Sequence, residues 1–481
     1  MTGKTGSYGK DDRMADYQML IDGALTDGSQ ALDVVNPATG APFTTVARAT
    51  EADMLRAIAA AKAAQPGWAA KPLAERQAAL VRLADAIDAN AADLARNLVM
   101  EQGKPLEQAQ AETAYAAIFL RHFATQSLEP ETVQDDADFH IQTHYRPLGV
   151  VAGITPWNFP LLIGCYKLAP AVLLGNSFIW KAAPTTPVTA LMIAKLAKDI
   201  FPAGVVNVLV DKNDLGQVLT THPDVAKISF TGSTPTGRKV MEASASSLKR
   251  LTLELGGNDA GIVLPDADIA KTAQRVAGSA FNNAGQVCIA LKRLYVHRSI
   301  YEEMCDALAT EVAQYALGDG LEQGTRVGPL QNAQQYEKAK TYLAAAHADG
   351  KVIAGGKARD GGGYFIEPTL VRDIAEGSKL VDEEQFAPIL PVIAYDDPAD
   401  VIARANASEY GLGGSVWSQD VNAALDVAAQ IESGTVWINH HTHFGPLIPF
   451  GGAKQSGLGV EFGKEGLTEF AQRTVVSVMR Q

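Results

Sequence analysis

Residues 226–255, AKISFTGSTPTGRKVMEASASSLKRLTLEL, contain two short apolar strand patterns on either side of one helical pattern. The helical stretch starts at a Thr-Gly-Ser-Thr-Pro turn, and both strand patterns are rich in apolar and β-branched residues. Upstream, the runs VVAGI, SFIWK and VVNVLV alternate with amphipathic stretches in the same way. Strands that alternate with amphipathic helices are typical of βαβ units. The pattern therefore predicts an α/β fold with a parallel sheet that is covered on both faces.

The rest of the chain divides into three further kinds of segment. A second set of strand and helix patterns occupies 259–436, with Gly and Asp turns at 318–320 and 354–363, and is long enough for a second α/β domain. Residues 50–126 repeat apolar residues at intervals of three and four, which predicts consecutive amphipathic helices. Residues 135–147 are polar and alternating, which predicts a protruding strand or hairpin.

Composition and charge exclude several classes of partner. The chain has 481 residues, of which 47% are hydrophobic and 20% charged, as in ordinary folded proteins. Its formal net charge of −13 repels phosphate backbones and anionic lipid surfaces, so we expect no nucleic-acid partner. The apolar stretch 148–166 has the length of a membrane span, but Pro156, Asn158 and Pro160 interrupt it. A buried strand and loop fit it better, and we expect no membrane partner.

Cysteine content and the first residues bear on the compartment. The three cysteines, Cys165, Cys288 and Cys305, are too few for a disulfide framework in a chain of this length, which favours a reducing, cytoplasmic compartment. Residues 1–18 lack the apolar core of a secretory signal and predict a polar tail. The Gly-Lys-Thr triplet at 3–5 follows neither a strand nor a glycine loop, so we assign it no role.

The turn at 231–237, TGSTPTG, follows a strand end and precedes a helix. Backbone N–H groups and a helix N-terminus at this place can bind an anion or a ribose-phosphate. A plain strand-to-helix turn is the alternative. The turn nearly matches the ATP-loop pattern, but Arg238, Lys239 and Val240 follow it without a hydroxyl for Mg²⁺, which disfavours an NTP hydrolase.

A single cysteine follows small, polar and turn-forming residues in FNNAGQVC, 281–288. Such a setting can hold the Cys288 thiolate where backbone N–H groups meet, as a nucleophile requires. A buried structural thiol is the alternative. Cys165, in an apolar run, and Cys305, on a helical pattern, lack this setting and are expected to be structural.

Two polar residues stand in otherwise apolar segments. Glu254 lies within the strand pattern LTLEL before two glycines, and burial of a carboxylate without a partner is costly. A general base with a raised pKa explains it, and an outward-facing residue on an edge strand is the alternative. Asn158 lies in the aromatic, proline-rich stretch 154–161, where its amide can donate to a developing oxyanion. A rigid core turn is the alternative there.

Together these segments resemble the NAD(P)-dependent aldehyde dehydrogenase superfamily over nearly the whole chain after about residue 18. The order and spacing of seven motifs carry the resemblance, because a single one of them would be unspecific. The motifs are PWNFP at 156–160, WK at 180–181, FTGST at 230–234, LELGG at 253–257, GQVC at 285–288, EEQF at 383–386 and PFGG at 449–452.

The resemblance implies a fold of three parts. A Rossmann-like parallel-sheet cofactor domain would comprise 15–125 and 147–256, and an α/β catalytic domain would comprise 257–455. A small β oligomerisation arm with the C-terminal strand would comprise 126–146 and 456–481. The C-terminal strand resembles one that extends a neighbour's sheet, would pair with the 135–147 segment, and implies a homodimer or homotetramer.

The resemblance also implies oxidation of a small-molecule aldehyde to a carboxylic acid. Cys288 would be the nucleophile that forms a thiohemiacetal and then a thioester. Asn158 and the Cys288 backbone N–H would bind the oxyanion. Glu254 would activate the water that hydrolyses the thioester. A CoA-acylating semialdehyde dehydrogenase is the alternative, but that branch typically lacks the carboxylate, and the intact catalytic set argues against a non-catalytic relative.

The cofactor implied by the resemblance is NAD, with NADP possible. Members that prefer NAD often carry a glutamate three residues after the ribose-binding lysine, where this chain has Pro184. Ala387 stands where glycine is usual. The residues similar to cofactor contacts are Lys181 at the adenosine ribose, Gly232 and Ser233 at the pyrophosphate, Trp157 beside them, Glu384 at the nicotinamide ribose, Phe386 at the ring and, more loosely, Gln335.

The segment 439–444 lies where the family places its substrate-tunnel loop. Its three histidines suggest a metal site, but no carboxylate or thiol joins them locally, so we expect no metal. The resemblance implies instead a tunnel lined by Phe159, His443, Phe444 and Phe450. Residues 439–450 contain no arginine, which disfavours short acidic semialdehydes.

Overall fold

The computed structural model describes residues 17–480, so most of the predicted polar tail and the triplet at 3–5 lie outside the described residues. The strands are β1 (Met19–Ile21), β2 (Ala24–Thr26), β3 (Gln30–Asn36), β4 (Ala41–Arg48), β5 (Glu131–Asp135), β6 (Phe139–Pro147), β7 (Val150–Ile154), β8 (Ser177–Ala182), β9 (Val206–Val210), β10 (Val225–Thr231), β11 (Arg250–Glu254), β12 (Asp259–Val263), β13 (Leu291–His297), β14 (Lys351–Ala354), β15 (Thr369–Arg372), β16 (Ile389–Tyr395), β17 (Tyr410–Gly411), β18 (Gly413–Trp417), β19 (Thr435–Ile438), β20 (Ala453–Lys454), β21 (Gly457–Leu458) and β22 (Ala471–Met479).

The predicted helices of the N-terminal third are present as the first four helices of the fold, which confirms the periodicity seen in 50–126. The helices are α1 (Glu51–Ala69), α2 (Leu73–Ala89), α3 (Ala91–Gln102), α4 (Leu106–Phe123), α5 (Pro160–Leu173), α6 (Val188–Ala197), α7 (Gly216–Thr221), α8 (Thr234–Ser244), α9 (Ile269–Phe281), α10 (Tyr301–Val312), α11 (Ala333–Asp349), α12 (Lys379–Asp382), α13 (Pro398–Asn406), α14 (Val421–Ala428) and α15 (Gly463–Thr468). No helix within the described residues is long and apolar enough to cross a membrane.

The first large sheet has eight strands in the order β2-β1-β9-β8-β7-β10-β11-β21. Its five strands from β9 to β11 are parallel, and β1 and β21 run antiparallel to their neighbours. Every residue of β7, β8 and β9 is buried, as expected for parallel strands that are covered on both faces. The predicted α/β fold with a parallel sheet is confirmed.

The second large sheet has seven strands in the order β14-β15-β16-β13-β12-β18-β19. All but β14 are parallel to their neighbours, and the sheet buries a hydrophobic core separate from that of the first. It contains the second set of strands predicted for 259–436. The link 255–258 joins β11 of the first sheet directly to β12 of the second.

A three-stranded antiparallel sheet in the order β22-β6-β5 forms an arm. The hairpin predicted for 135–147 is present as β5 and β6, and β22 pairs with β6 of its own chain from Ala471 opposite Pro147 to Met479 opposite Phe139. Apolar side chains on this arm are exposed: Val133, Val475, Val476, Val478 and Met479. Strand β21, from the segment that the sequence grouped with the arm, pairs instead with β11 of the first sheet.

Candidate active site

The carboxyl ends of the five parallel strands share one edge of the first sheet, where ligands bind in open α/β folds. The chain brings predicted residues from distant parts of the sequence to this edge. Trp157, Asn158 and Phe159 follow β7, Lys181 lies near the end of β8, Gly232 and Ser233 follow β10, and Glu254 is the last residue of β11.

The second sheet supplies residues from the opposite direction, before its strands begin. Cys288 precedes β13, and Glu384 and Phe386 precede the neighbouring β16. Glu254 interacts electrostatically with the Cys288 thiol. The two sheets therefore face each other across a cleft that contains the predicted catalytic residues.

The turn before Cys288 has an unusual backbone. Asn283, Ala284 and Gly285 lie in succession in the left-handed region, with φ of 48°, 54° and 72°. Such strain persists where the surroundings hold it, and it is common next to reactive groups. Lys292 fixes the other side of the residue, because its Nζ donates to the Cys288 carbonyl at 2.6 Å. The half-buried Cys288 side chain is thus held in place.

Asn158 is buried and held through its backbone and its amide. Its Nδ2 donates to the carbonyl of Gln286 at 3.0 Å, two residues before Cys288. Its own carbonyl accepts bonds from Lys104 Nζ at 2.9 Å and Asn283 Nδ2 at 3.1 Å. Asn158 Oδ1 has no hydrogen-bond partner within residues 17–480. Oδ1 can only accept, whereas Nδ2 has a second N–H beyond the one given to Gln286, so the amide can still donate one hydrogen bond beside the turn before Cys288.

A buried ion pair supports Asn158. Lys104 pairs with Glu112 of α4, and neither side chain has exposed surface. Glu112 Oε1 in turn accepts the backbone N–H groups of Leu161 and Leu162 at 3.1 and 3.2 Å, in the first turn of α5. The pair therefore ties α4 to the loop between β7 and α5, which carries Asn158.

Replacing Lys104 with methionine should lower the free energy of unfolding by about 3 to 5 kcal/mol, because Glu112 would remain as an uncompensated buried charge. Urea denaturation measures the change. Lys71→Met is a matched control, since its pair with Glu75 is exposed and such pairs contribute about 0 to 1 kcal/mol. An effect no larger than that of the control would contradict the structural role of Lys104.

Glu254 is buried, and neither carboxylate oxygen has a hydrogen-bond partner within the described chain. The alternative of an outward-facing glutamate is wrong, because β11 lies between β10 and β21. Burial raises the pKa of Glu254 well above its usual value, the negative charge of Glu461 raises it further, and Lys167 lowers it. Lys167 and Glu461 form a buried ion pair at 2.6 Å, and both bond to Ser229 Oγ.

Burial likewise raises the pKa of the Cys288 thiol to about 12. The charge of Lys292 lowers this pKa, whereas Glu254, Asp259 and Glu384 raise it. The neutral thiol is the stable form below the raised pKa, so only a small fraction is thiolate at neutral pH. That fraction increases about tenfold with each unit of pH until the pKa is reached.

We therefore expect the rate of Cys288 alkylation by iodoacetamide to increase by about tenfold per pH unit from pH 7 to 10 without a plateau, whereas a free cysteine with a pKa of about 8.5 levels off. Peptide mass spectrometry identifies the alkylated residue. The Cys288→Ala variant measures the background from the other two thiols, which are free and buried. A plateau below pH 9 would contradict the raised pKa.

The turn at 231–237, which is predicted to bind the pyrophosphate, offers backbone N–H groups to an anion. Ser233 is the cap residue of α8, and its hydroxyl bonds to the Thr236 hydroxyl at 2.9 Å but accepts no backbone N–H of the first turn, so those N–H groups remain available to a ligand. A Cβ at Gly232 would lie 2.5 Å from the Phe230 ring, which makes glycine necessary. The Gly232 N–H itself donates to the Glu254 carbonyl at 3.0 Å.

The second sheet contributes three of the predicted cofactor residues. Glu384 Oε1 accepts the Gly257 N–H at 3.0 Å, and burial raises the Glu384 pKa. The Trp157 and Phe386 rings meet edge to face, with centroids 5.4 Å apart. Gln335 donates to the Phe386 carbonyl at 2.9 Å. Gln335 therefore holds the Phe386 loop in place.

A run of aromatic rings extends from the surface towards Glu254 and Cys288. The exposed Tyr115 contacts Phe444, with ring centroids 6.1 Å apart, and Phe444 stacks on Phe462 at 6.3 Å. Tyr166 contacts Phe462 at 4.8 Å and interacts electrostatically with both Glu254 and Cys288. We call Tyr115, Phe119, Tyr166, Phe444, Phe450 and Phe462 the aromatic cluster.

The four predicted substrate residues are not all in this cluster. Phe444 and Phe450 belong to it, and Phe159 packs against the core of the first sheet, with Lys104 Nζ 3.8 Å from its ring centroid. His443 is exposed, and its ring lies against His440 with centroids 5.8 Å apart. Within residues 17–480, no group of three or more His, Cys, Asp or Glu side chains is placed to hold a metal ion.

Sequence reasoning did not assign several residues that the fold brings to the site. Lys167 stands out in retrospect as the one charge in the apolar helix PLLIGCYKLAPAVL, and all of that helix is buried. Its partner Glu461 lies 294 residues away in sequence, so no local pattern joins the two. The others are Lys104, Glu112, Lys292, Asp211, Tyr166, Phe119 and Phe462.

The chain matches the model of the aldehyde dehydrogenase family over residues 25–476. It belongs to that family. This aldehyde dehydrogenase is 38% identical to the NADP(+) succinate-semialdehyde dehydrogenase of Escherichia coli over 96% of this chain and 98% of the relative. It is 39% identical to the phenylacetaldehyde dehydrogenase of Pseudomonas fluorescens over 94% of each chain.

The structure of an NAD+ complex of the Bacillus cereus aldehyde dehydrogenase matches this aldehyde dehydrogenase with a TM-score of 0.94, at 35% identity over 97% of each chain. The resemblance found in the sequence, the fold that it implied and the enzyme class are confirmed. The protein is an NAD(P)-dependent aldehyde dehydrogenase, and the expected cofactor, NAD with NADP possible, is confirmed.

Proposed function

We propose that this enzyme oxidises an aldehyde to a free carboxylic acid through a thioester on Cys288, which water activated by Glu254 then hydrolyses. One observation carries the proposal: the buried Glu254 carboxyl, with both oxygens unpartnered in the described chain, interacts electrostatically with the thiol of Cys288. A carboxyl in that position is costly to bury unless it has a chemical task.

The first step is addition of Cys288 to the aldehyde. The half-buried thiol loses its proton to solvent, and the thiolate forms a C–S bond to the carbonyl carbon while the carbonyl oxygen gains negative charge. The Asn158 amide and the Cys288 backbone N–H stabilise that oxygen, and one such donor is typically worth about 3 kcal/mol. Lys104 and Asn283 support this step because they hold the Asn158 backbone.

The cofactor residues fit NAD(P)+, since no side chain caps the backbone N–H groups in the first turn of α8 and these groups can bind a pyrophosphate. When bound, NAD(P)+ accepts a hydride from the former aldehyde carbon. Lys181 would hold the adenosine ribose, Ser233 and Gly232 the pyrophosphate, and Glu384 the nicotinamide ribose. Trp157 would lie beside the pyrophosphate and Phe386 would support the nicotinamide ring, with Gln335 holding Phe386.

The last step is hydrolysis of the thioester. The ionised Glu254 removes a proton from water as the oxygen attacks the carbonyl carbon, the C–S bond breaks, and the acid leaves with Cys288 restored. A raised pKa makes Glu254 a stronger base than an ordinary carboxylate. The neighbouring Lys167 favours its ionised form and Glu461 opposes it.

The aromatic cluster supports an aldehyde with an apolar body as the substrate. Its rings lead from Tyr115 at the surface to Tyr166 beside the reactive groups. The buried cations next to it are occupied, because Lys104 pairs with Glu112 and Lys167 with Glu461. A substrate carboxylate would therefore find no unpaired buried cation there, whereas an aryl or alkyl chain would bury apolar area.

A panel of aldehydes tests both the product and the substrate class. We expect phenylacetaldehyde to have a kcat/KM at least about tenfold above that of succinate semialdehyde, the difference produced by about 1.4 kcal/mol in transition-state binding. Chromatography of the products should show one free acid for each NADH formed, with or without added CoA. Preference for the semialdehyde would refute the apolar substrate, and an acyl-CoA product would favour the CoA-acylating alternative.

The assembly and compartment are part of the same proposal. The exposed valines and methionine of the arm sheet support contact with a second copy, as a homodimer or homotetramer. In this assignment the first sheet is the cofactor domain, the second the catalytic domain and the arm the oligomerisation element. Sedimentation of the full chain tests the assembly, since a monomer would refute it.

The free thiols of Cys165 and Cys305 fit a reducing, cytoplasmic compartment.

A further inference from the structure

A buried carboxylate follows strand β9 at the adenosine end of the proposed cofactor site. Asp211 has no exposed side-chain surface, and its Oδ1 lies 2.6 Å from Nζ of Lys181 on the neighbouring strand β8. Its Oδ2 accepts the backbone N–H of Leu215 at 2.9 Å. The Lys181 ammonium is only 4% exposed and also donates to Asn213 Oδ1 at 3.3 Å. The lysine is therefore fixed in position and electrically compensated.

This ion pair bears on the one chemical difference between NAD+ and NADP+. NADP+ carries a 2′-phosphate on the adenosine ribose, and a phosphate monoester has a charge of about −1.5 to −2 at pH 7. Sites that accept this group usually supply a cation to it, whereas sites for NAD+ place an acidic residue near the neutral hydroxyl. A phosphate beside Lys181 would meet a lysine whose charge Asp211 already balances.

The other charged residues recorded around this loop do not provide a dedicated phosphate site. Arg48, at the end of β4, is paired with Asp214 on the loop after β9. Lys212 is exposed, where water and salt screen its charge. Pro184, which follows β8, offers neither a carboxylate nor a hydroxyl. Asp211 is thus the buried carboxylate that pairs with Lys181 at the proposed adenosine end of the cofactor site.

We infer that Asp211 is a specificity-determining positioning residue, which neutralises Lys181 and so makes the enzyme select NAD+ over NADP+. The inference rests on the proposed cofactor site, in which Lys181 holds the adenosine ribose. Asp211 acts through Lys181 and not on the reacting atoms.

Calorimetric titration of the protein without aldehyde tests the inference independently of catalysis. The four ligands are NAD+, NADP+ and their adenosine fragments 5′-AMP and 2′,5′-ADP. We expect the wild-type enzyme to bind NAD+ at least about tenfold more tightly than NADP+. Asp211→Asn keeps the shape and removes the charge, so it should reduce that ratio about tenfold, and the ratio for the two fragments should change in the same direction.

Two further variants separate the ion pair from general charge effects. Asp199→Asn removes an exposed carboxylate elsewhere and should leave the ratio unchanged. The double variant Lys181→Gln/Asp211→Asn is neutral, like the original pair, and should bind both nucleotides more weakly while it keeps the preference for NAD+. If Asp211→Asn fails to fold, a wild-type enzyme without a preference for NAD+, or a double variant that binds NADP+ as tightly as NAD+, still overturns the inference.

A wild-type enzyme that binds both nucleotides equally, or an Asp211→Asn variant with the wild-type ratio, would overturn the inference while leaving the proposed function intact. A double variant with a ratio as low as that of Asp211→Asn would also overturn it. Failure of the wild-type enzyme to bind either nucleotide would instead overturn the cofactor site itself, and the inference with it.

Discussion

We expect the replacement of Cys288 with alanine to abolish the formation of NADH or NADPH with every aldehyde tried, because the other two thiols, Cys165 and Cys305, are buried and cannot form the C–S bond. Loss of a nucleophile typically lowers kcat by a factor on the order of 10⁴ to 10⁶. Absorbance at 340 nm measures the loss. Calorimetry should show unchanged NAD+ affinity, which separates loss of chemistry from loss of the cofactor site.

Cys305→Ala is the matched control for this experiment. Cys305 is a free thiol on α10 that is buried in the core of the second sheet, so its replacement should leave kcat within about twofold. Turnover that survives in Cys288→Ala would remove this residue from the mechanism and would leave the strained turn at Asn283 and Ala284 without an explanation.

Glu254→Gln should separate the two halves of the reaction. Hydride transfer needs only Cys288 and the oxyanion donors, so one NADH per active site should form in a burst. Steady turnover should then fall by about 10² to 10⁴, since glutamine cannot accept the proton of the attacking water. Stopped-flow absorbance resolves the two phases.

Mass spectrometry of Glu254→Gln during the reaction provides a second readout. The protein should be heavier by the mass of the aldehyde less two hydrogens, and the added mass should lie on the peptide that contains Cys288. Glu465→Gln is a suitable control because that glutamate lies near the surface on the short helix α15. An unchanged steady-state rate in Glu254→Gln would refute its role as the base.

The parallel sheets could be predicted because their information is local. Each strand from β7 to β11 is a short apolar run bounded by turn residues, and each intervening helix has its own periodicity. The positions of Asn158, Glu254 and Lys181 at one edge follow from that alternation, since parallel strands place their carboxyl ends together. The cleft was therefore largely implied by the order of strands and helices.

The electrostatic environment of the site could not be predicted in the same way. Lys167 and Glu461 are 294 residues apart in sequence. Lys181 lies on β8 and Asp211 directly follows β9, and the sequence alone does not show that these two strands are neighbours. The raised pKa of Cys288 results from burial and from the charges of Glu254 at the end of β11, Asp259 at the start of β12 and Glu384 before β16. Such effects depend on the packed structure and have no local sequence pattern.

The assignment of His443 as a substrate residue remains a prediction, and its exposed position gives it no contact with the aromatic cluster. Although the two residues are adjacent in an irregular loop, the Phe444 ring stacks on Phe462, whereas the His443 ring lies against His440. The left-handed backbone of Thr442, with φ of 67°, turns the chain just before them. A motif fixes the position of such a loop in sequence but not the direction of each side chain.

The C-terminal strand β22 ends beside the turn of the hairpin formed by β5 and β6. The backbone N–H of Arg480 donates to the Asp138 carbonyl at 2.8 Å, and its guanidinium donates to the Asp136 carbonyl at 2.7 Å. A fluorophore attached at Arg480 would therefore sit at the tip of the arm. In the proposed homodimer or homotetramer, its signal would report on subunit association and would not respond to reactions at Cys288.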